Sequence, residues 1–102
     1  MDDLSVFKPG DIVLSKAGRD QGRYFVVMRC EENFCLLADG DLRKIDKMKR
    51  KKNKHIKWAK NRDGSWARSE FIANKLSANE KVTNSEVRRA LAEFRAEQEG
   101  DE

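Results

Sequence analysis

Four turn signals fall within the first 40 residues: Pro9-Gly10, the pair Gly18 and Gly22, Glu31-Glu32-Asn33, and Asp39-Gly40. They cut this part of the chain into short apolar runs, GDIVLSK (10–16), RYFVVMRC (23–30) and FCLLA (34–38). Runs of this length, rich in β-branched and aromatic residues and bounded by turn formers, read as β-strands. The second run is almost continuously apolar, which predicts a strand covered on both faces. Cys30 and Cys35 flank the turn after it and are expected to oppose each other across a hairpin. Asp39-Gly40 is a strong hairpin signal, because a type I′ turn needs positive φ at both central residues. A fourth strand is expected to begin near Leu42, although Leu42, Ile45 and Met48, spaced by three, equally suit a helical turn. KMKRKKNK (47–54) shows no core-forming pattern and reads as an exposed basic loop. HIKWAK (55–60) alternates again, with Ile56 and Trp58 on one side and His55 and Lys57 on the other.

After Gly64 the period changes from two to that of a helix. SWARSEFIANKLS places Ala67, Phe71, Ile72 and Leu76 on one stripe, with Ser65 as a candidate N-cap and Trp66 at the start of the helix, clamping it to the strands. TNSE (83–86) fits a capping box, in which Thr83 caps the helix and Glu86 reaches back. Val87, Leu91 and Phe94 then form an apolar stripe along a helix near 84–98. The closing EQEGDE is acidic and reads as a frayed end. A length of 102 residues suits one domain. The expected fold is α+β, mainly β: a small β-barrel over 1–62, two helices over 63–98, and an acidic tail over 99–102. A barrel of about 50 residues is a weak core by itself, so the helices are expected to pack on it.

Charge is what separates this chain from an ordinary small domain. Charged residues make up 39% of it, yet the net charge is only +4. Residues 1–42 carry −3, 43–62 carry +10, 63–76 carry 0 and 77–102 carry −3. Residues 43–57 alone hold nine Lys or Arg against one acid, Asp46. Such a block repels itself and calls for a polyanion. The start, MDDLSVFKPG, is acidic and lacks a signal-like apolar stretch, and no segment approaches a membrane span, so a cytoplasmic protein without a membrane partner is expected.

Enzyme chemistry finds no footing. GRDQGR lies between two strands and matches neither a Walker A loop nor a dinucleotide fingerprint. His55, the single histidine, has no nucleophile or second acid near it in sequence. Two cysteines lack the spacing of a zinc site and read as reduced, mostly buried thiols. No catalytic residue, metal, cofactor or small-molecule substrate is therefore expected.

GDIVLSKAGRDQGRYFVV resembles a KOW motif: a strand, a Gly-x-Asp-x-Gly-Lys/Arg-like turn, and a second hydrophobic strand. Its continuation LLADGDLRKIDKMKRKKNKHI extends the likeness. Residues 8–57 resemble the small KOW-domain RNA-binding proteins related to a KOW-type large-subunit ribosomal protein of archaea and eukaryotes. The short bacterial members of that group are also similar to KVTNSEVRRALAEF. The resemblance implies an SH3-like barrel whose turn and basic strands lie on RNA, typically ribosomal RNA. It maps the central glycine of the motif to Gly22 and its basic turn residues to Arg19 and Arg23.

The candidate RNA-contact residues are Lys16, Gly18, Arg19, Gly22, Arg23, Tyr24, Arg43, Lys44, Lys47, Lys49, Arg50, Lys51, Lys52, Lys54, His55 and Lys57. The cations would meet phosphates, the glycines shape the turn, and Tyr24 is the candidate for stacking on a base. Asp20 is expected to bond the turn backbone or to orient Arg19 or Arg23. Phe25 and Trp58 are expected in the core. A second reading is an SH3-like protein-interaction module whose basic block docks an acidic protein surface, with the Val87, Leu91 and Phe94 stripe engaging a partner through the C-terminal helices.

Overall fold

A computed structural model describes residues 6–99. Expectations for residues 1–5 and for most of the acidic tail, 100–102, lie outside the described residues. Five strands form one antiparallel sheet: β1 (Ile12–Ser15), β2 (Tyr24–Cys30), β3 (Phe34–Ala38), β4 (Lys49–Lys52) and β5 (Ile56–Trp58), in the order β4-β3-β2-β1-β5. Two helices follow, α1 (Glu70–Ser77) and α2 (Asn84–Glu99). None of the described helices is long and apolar enough to cross a membrane.

β2 is covered on both faces, as its composition requires. Val26 and Met28 meet the helices, while Phe25 and Val27 meet the other side of the sheet. A β-bulge between Val27 and Arg29 shifts the register. The extra residue resets the alternation, so Cys30 returns to the Phe25 and Val27 face and opposes Cys35.

The sheet is open, since β4 and β5 are its edges, yet only the 3-10 turn Asn53–His55 separates them in sequence. In a flat sheet of this width the edges would lie about 19 Å apart. Such a turn advances only about 8 Å. The sheet therefore curves, and its concave face is filled by Phe7, Val13, Phe25, Val27, Cys35, Leu37 and Ile56. The convex face contributes Ile12, Val26, Met28 and Ala38 to a second core, completed by Ile72 of α1 and by Val87, Leu91 and Phe94 of α2. The α2 stripe is thus buried within the chain.

The capping box forms as expected. The Glu86 carboxylate accepts from the Thr83 N–H at 2.9 Å, and the Thr83 hydroxyl accepts from the Glu86 N–H at 3.1 Å. For α1 the cap is Ser69, not Ser65: the Ser69 hydroxyl accepts from the Ile72 N–H at 3.2 Å. Phe71, expected on the buried stripe, is 57% exposed. Ser65 and Trp66 precede the helix, in a hairpin closed by a bridge between Lys60 and Trp66. That hairpin straddles the boundary expected at residue 62, and a second bridge pairs Asp11 with Arg68.

Two further expectations change. Asp39-Gly40 does not make a two-residue hairpin; it opens a connection that runs through residues 39–48 and contains a 3-10 turn, Ile45–Lys47. Ile45 and Met48 turn inward against the convex core while Leu42 stays 66% exposed, so the helical-turn alternative is the closer one. The run 47–54, read as a loop, contains strand β4. Lysines form an edge strand there because β3 supplies the pairing partner and their long stems lie along the sheet.

Candidate nucleic-acid interface

The Gly18–Gly22 turn is tight and internally bonded. Gln21 N–H donates to the Gly18 carbonyl at 3.1 Å, Gly22 N–H to Ser15 at 2.9 Å and Arg23 N–H to Asp20 at 3.0 Å. Gly22 adopts φ 86° with open space around its α-carbon. Arg19 projects from this turn into solvent, but its neighbours are engaged. The Arg23 guanidinium pairs with buried Asp39 at 3.1 Å, and Arg43 pairs with buried Asp20 at 3.3 Å. Asp20 thus orients neither Arg19 nor Arg23; its partner comes from 23 residues away. Lys51 is buried at 7% exposure, and its ammonium donates to the Ala17 carbonyl at 2.7 Å, anchoring the turn to the edge strand β4. The Tyr24 ring lies edge-on to Phe94 at 5.1 Å and packs on the convex core.

Asp39 organises the β3–β4 connection. One carboxylate oxygen accepts from the Asp41 and Arg43 N–H groups at 2.9 and 2.8 Å, and the other from Arg23 at 3.1 Å. Burial alone would raise this carboxyl, but the two backbone donors and the Arg23 guanidinium outweigh it and hold it below its ordinary value of 3.8. A carboxylate with a lowered folded pKa adds stability above its unfolded value and loses it as the pH falls through the folded one. Asp39→Asn is therefore expected to lower stability by about 2 kcal/mol at neutral pH, the worth of a charge-assisted hydrogen bond. Thermal melts of both proteins from pH 7 to pH 2 check this: the gap should shrink below the usual carboxylate value, and a pH-independent gap would count against the ionic role.

Four of the sequence-predicted cations converge elsewhere. Lys16 after β1, Lys52 at the end of β4, Lys54 in the 3-10 turn and Lys57 in β5 line one groove of about 810 Å3. All four are exposed, and among the described residues their ammonium groups have no ion-pair partner. The fold brings them together because β1 and β5 are paired and the 3-10 turn bonds back to β1, the Lys16 N–H donating to the His55 carbonyl at 2.8 Å. His55 itself is half-buried in that turn. The groove also contains Phe34 and Trp58, which the sequence reading did not assign to it, and Glu31 and Glu32 at the β2–β3 turn. Glu31 is engaged by Arg50 at 3.0 Å, and the Arg50 guanidinium lies 3.6 Å above the Phe34 ring. Arg19, Arg43, Lys44, Lys47 and Lys49 lie outside the lining of this groove.

The thiols reach the same groove without reactive character. Cys30 donates to the Phe7 carbonyl at 3.0 Å and Cys35 to the Asn53 side chain at 3.2 Å. Burial raises both, Cys35 to about 12, so each stays protonated near neutral pH and is a poor nucleophile or metal ligand.

Trp58 owes its fixed position to Asp11, a residue whose importance the sequence did not signal. Asp11 is buried; one oxygen accepts from the Trp58 indole at 3.0 Å and from the Lys8 N–H at 2.8 Å, and the other from Arg68 at 2.9 Å. The Arg68 partner is 57 residues away, and no local pattern announces it. Trp58 also packs on Phe7 at 4.4 Å and on Trp66 at 5.3 Å. Trp66, expected to clamp α1 on the sheet, is 55% exposed instead.

No protein-family model matches the chain, and a search of the curated proteins finds no significant relative. The functional reading therefore stands on the residues and their geometry.

Proposed function

We propose that this chain is a non-enzymatic RNA-binding protein of the KOW type, that its curved sheet is the SH3-like barrel of that group, and that it works in the cytoplasm on the ribosome, through large-subunit RNA. The observation that carries the reading is the groove: Lys16, Lys52, Lys54 and Lys57, drawn from four points of the chain, line one groove together with Phe34 and Trp58. Cations that track a backbone, set beside aromatic faces, are the chemistry of single-stranded nucleic-acid binding. Arg19 extends the positive surface at the neighbouring turn. The sequence motif supplies the ribosomal part of the reading, and the short 3-10 connection between the edge strands supports the barrel part.

An acidic protein surface is the weaker candidate for the partner. The stripe that would engage it on α2, Val87, Leu91 and Phe94, lies in the convex core. Sedimentation of a cell lysate through a sucrose gradient tests the proposal. The protein should run with the large ribosomal subunit at low salt, leave it at high salt, and move to the top after ribonuclease. A protein that stays at the top in every condition, or that keeps a heavy partner after ribonuclease, refutes it.

A further inference from the structure

Trp66 is the one tryptophan that the fold leaves mostly in water, at 55% exposure. An exposed indole on a mobile segment would mean little, but this one is held. Its hairpin is closed by the Asn61 N–H donating to the Ser65 carbonyl at 2.8 Å. Gly64 takes φ 90° at the bend, and the Asp63 carboxylate accepts from both the N–H and the hydroxyl of Ser65. Trp58 supports the Trp66 ring at 5.3 Å, with 31° between their planes, and Trp58 is itself fixed by Asp11 and Phe7. The Lys60 ammonium stands 5.2 Å from the Trp66 ring centroid. Trp58 lines the lysine groove and packs on Trp66, so Trp66 and Lys60 adjoin the groove through Trp58 without lining it.

We propose that Trp66 is a base-stacking platform, and that the RNA taken by the groove is single-stranded or looped, not duplex. The inference rests on the RNA-binding reading above and adds the substrate class. Bases inside a duplex have no free face to offer, whereas an unpaired base can stack on the exposed part of an indole while lysines hold its flanking phosphates. Trp58 packed on the ring and the Lys60 ammonium over it keep the indole preorganised, so little side-chain freedom is lost on binding. A hydrophobic protein partner would not call for Lys60 over the ring and four exposed lysines in the adjoining groove, and charge complementarity favours the polyanion.

The test measures affinity of the full chain for a 12-nucleotide oligouridine and for a blunt RNA duplex of the same length, at 0.1 M salt. Wild type should prefer the single strand. Trp66→Ala should weaken single-strand binding about tenfold, the usual effect of removing one stacked base, and leave duplex binding unchanged. Trp66→Phe should recover part of the loss, which a purely structural role would not require. Oligouridine should also quench the tryptophan emission of wild type more than that of Trp66→Phe. Equal affinity of wild type and Trp66→Ala for the oligouridine, or a preference for duplex, overturns this inference and leaves the RNA-binding reading intact. Failure of wild type to bind either RNA overturns both.

Discussion

Lys52→Glu, Lys54→Glu and Lys57→Glu combined should weaken binding to single-stranded RNA by about a hundredfold or more at 0.1 M salt, without lowering the melting temperature appreciably. Each lysine that neutralises a phosphate on a single strand contributes about 0.7 to the slope of log K against log salt, roughly fivefold in affinity at 0.1 M. Three contacts together give about a hundredfold, and the slope should become shallower by about 2. Reversal adds repulsion to the loss of attraction, so the hundredfold is a floor. The three side chains are exposed and line the groove. Surface substitutions of that kind typically change stability by no more than about 0.5 kcal/mol each. Lys51→Glu behaves differently, because the buried Lys51 ammonium holds the Ala17 carbonyl, and its loss loosens the turn itself. Affinity titrations at several salt concentrations, alongside thermal melts, separate the two. A triple variant with wild-type affinity and slope would remove the groove from the proposal.

Gly40→Ala should be among the most damaging single substitutions in the chain, at about 3 kcal/mol, or a melting temperature lower by roughly 15 °C. Gly40 takes φ 77°, a left-handed conformation that side chains resist. A methyl group there would also collide with the Asn84 carbonyl and come within 2.9 Å of the Arg88 side chain. Those contacts join the β3–β4 connection to the start of α2: Arg88 donates to the Gly40 carbonyl at 2.7 Å, and the Ile45 N–H donates to the Asn84 side chain at 2.8 Å. The added methyl group must push the helix away or break that seam. Gly22→Ala is the control. Gly22 also has positive φ, 86°, but nothing stands near its α-carbon, so only the backbone strain of about 1 kcal/mol remains. Circular dichroism melts of the two variants decide the matter. If they fall together, the close approach at Gly40 has no energetic weight.

How much could be read without coordinates depends on how local each signal is. The α2 helix was legible because both its cap and its stripe repeat within one or two turns: Thr83 and Glu86 bond each other, and Val87, Leu91 and Phe94 are all buried. The covered β2 strand and the Cys30–Cys35 pairing were legible for the same reason, the second because a tight turn fixes the register. The α1 start was misplaced by four residues, from Ser65 to Ser69, because both serines precede a plausible stripe and only packing selects between them.

The basic run shows the limit most clearly. Composition marked residues 43–57 as a polyanion site and treated their cations alike. The fold divides them: Arg43 pairs with Asp20, Arg50 with Glu31 and Phe34, Lys51 is buried against Ala17, and Lys52, Lys54 and Lys57 are exposed along the groove. Nothing adjacent in sequence distinguishes Lys51 from Lys52; the alternation of an edge strand does, and that strand exists only because β3 pairs with it. Asp11, Arg68, Trp58 and Trp66 follow the same rule. The first three strands, the second helix and the sign of the charge were legible from the sequence alone, since period, caps and charge are properties of neighbouring residues, whereas β4 was not. Only the tertiary structure decided which cations are free, where the groove lies and which tryptophan faces water, since each of those depends on partners brought together across tens of residues.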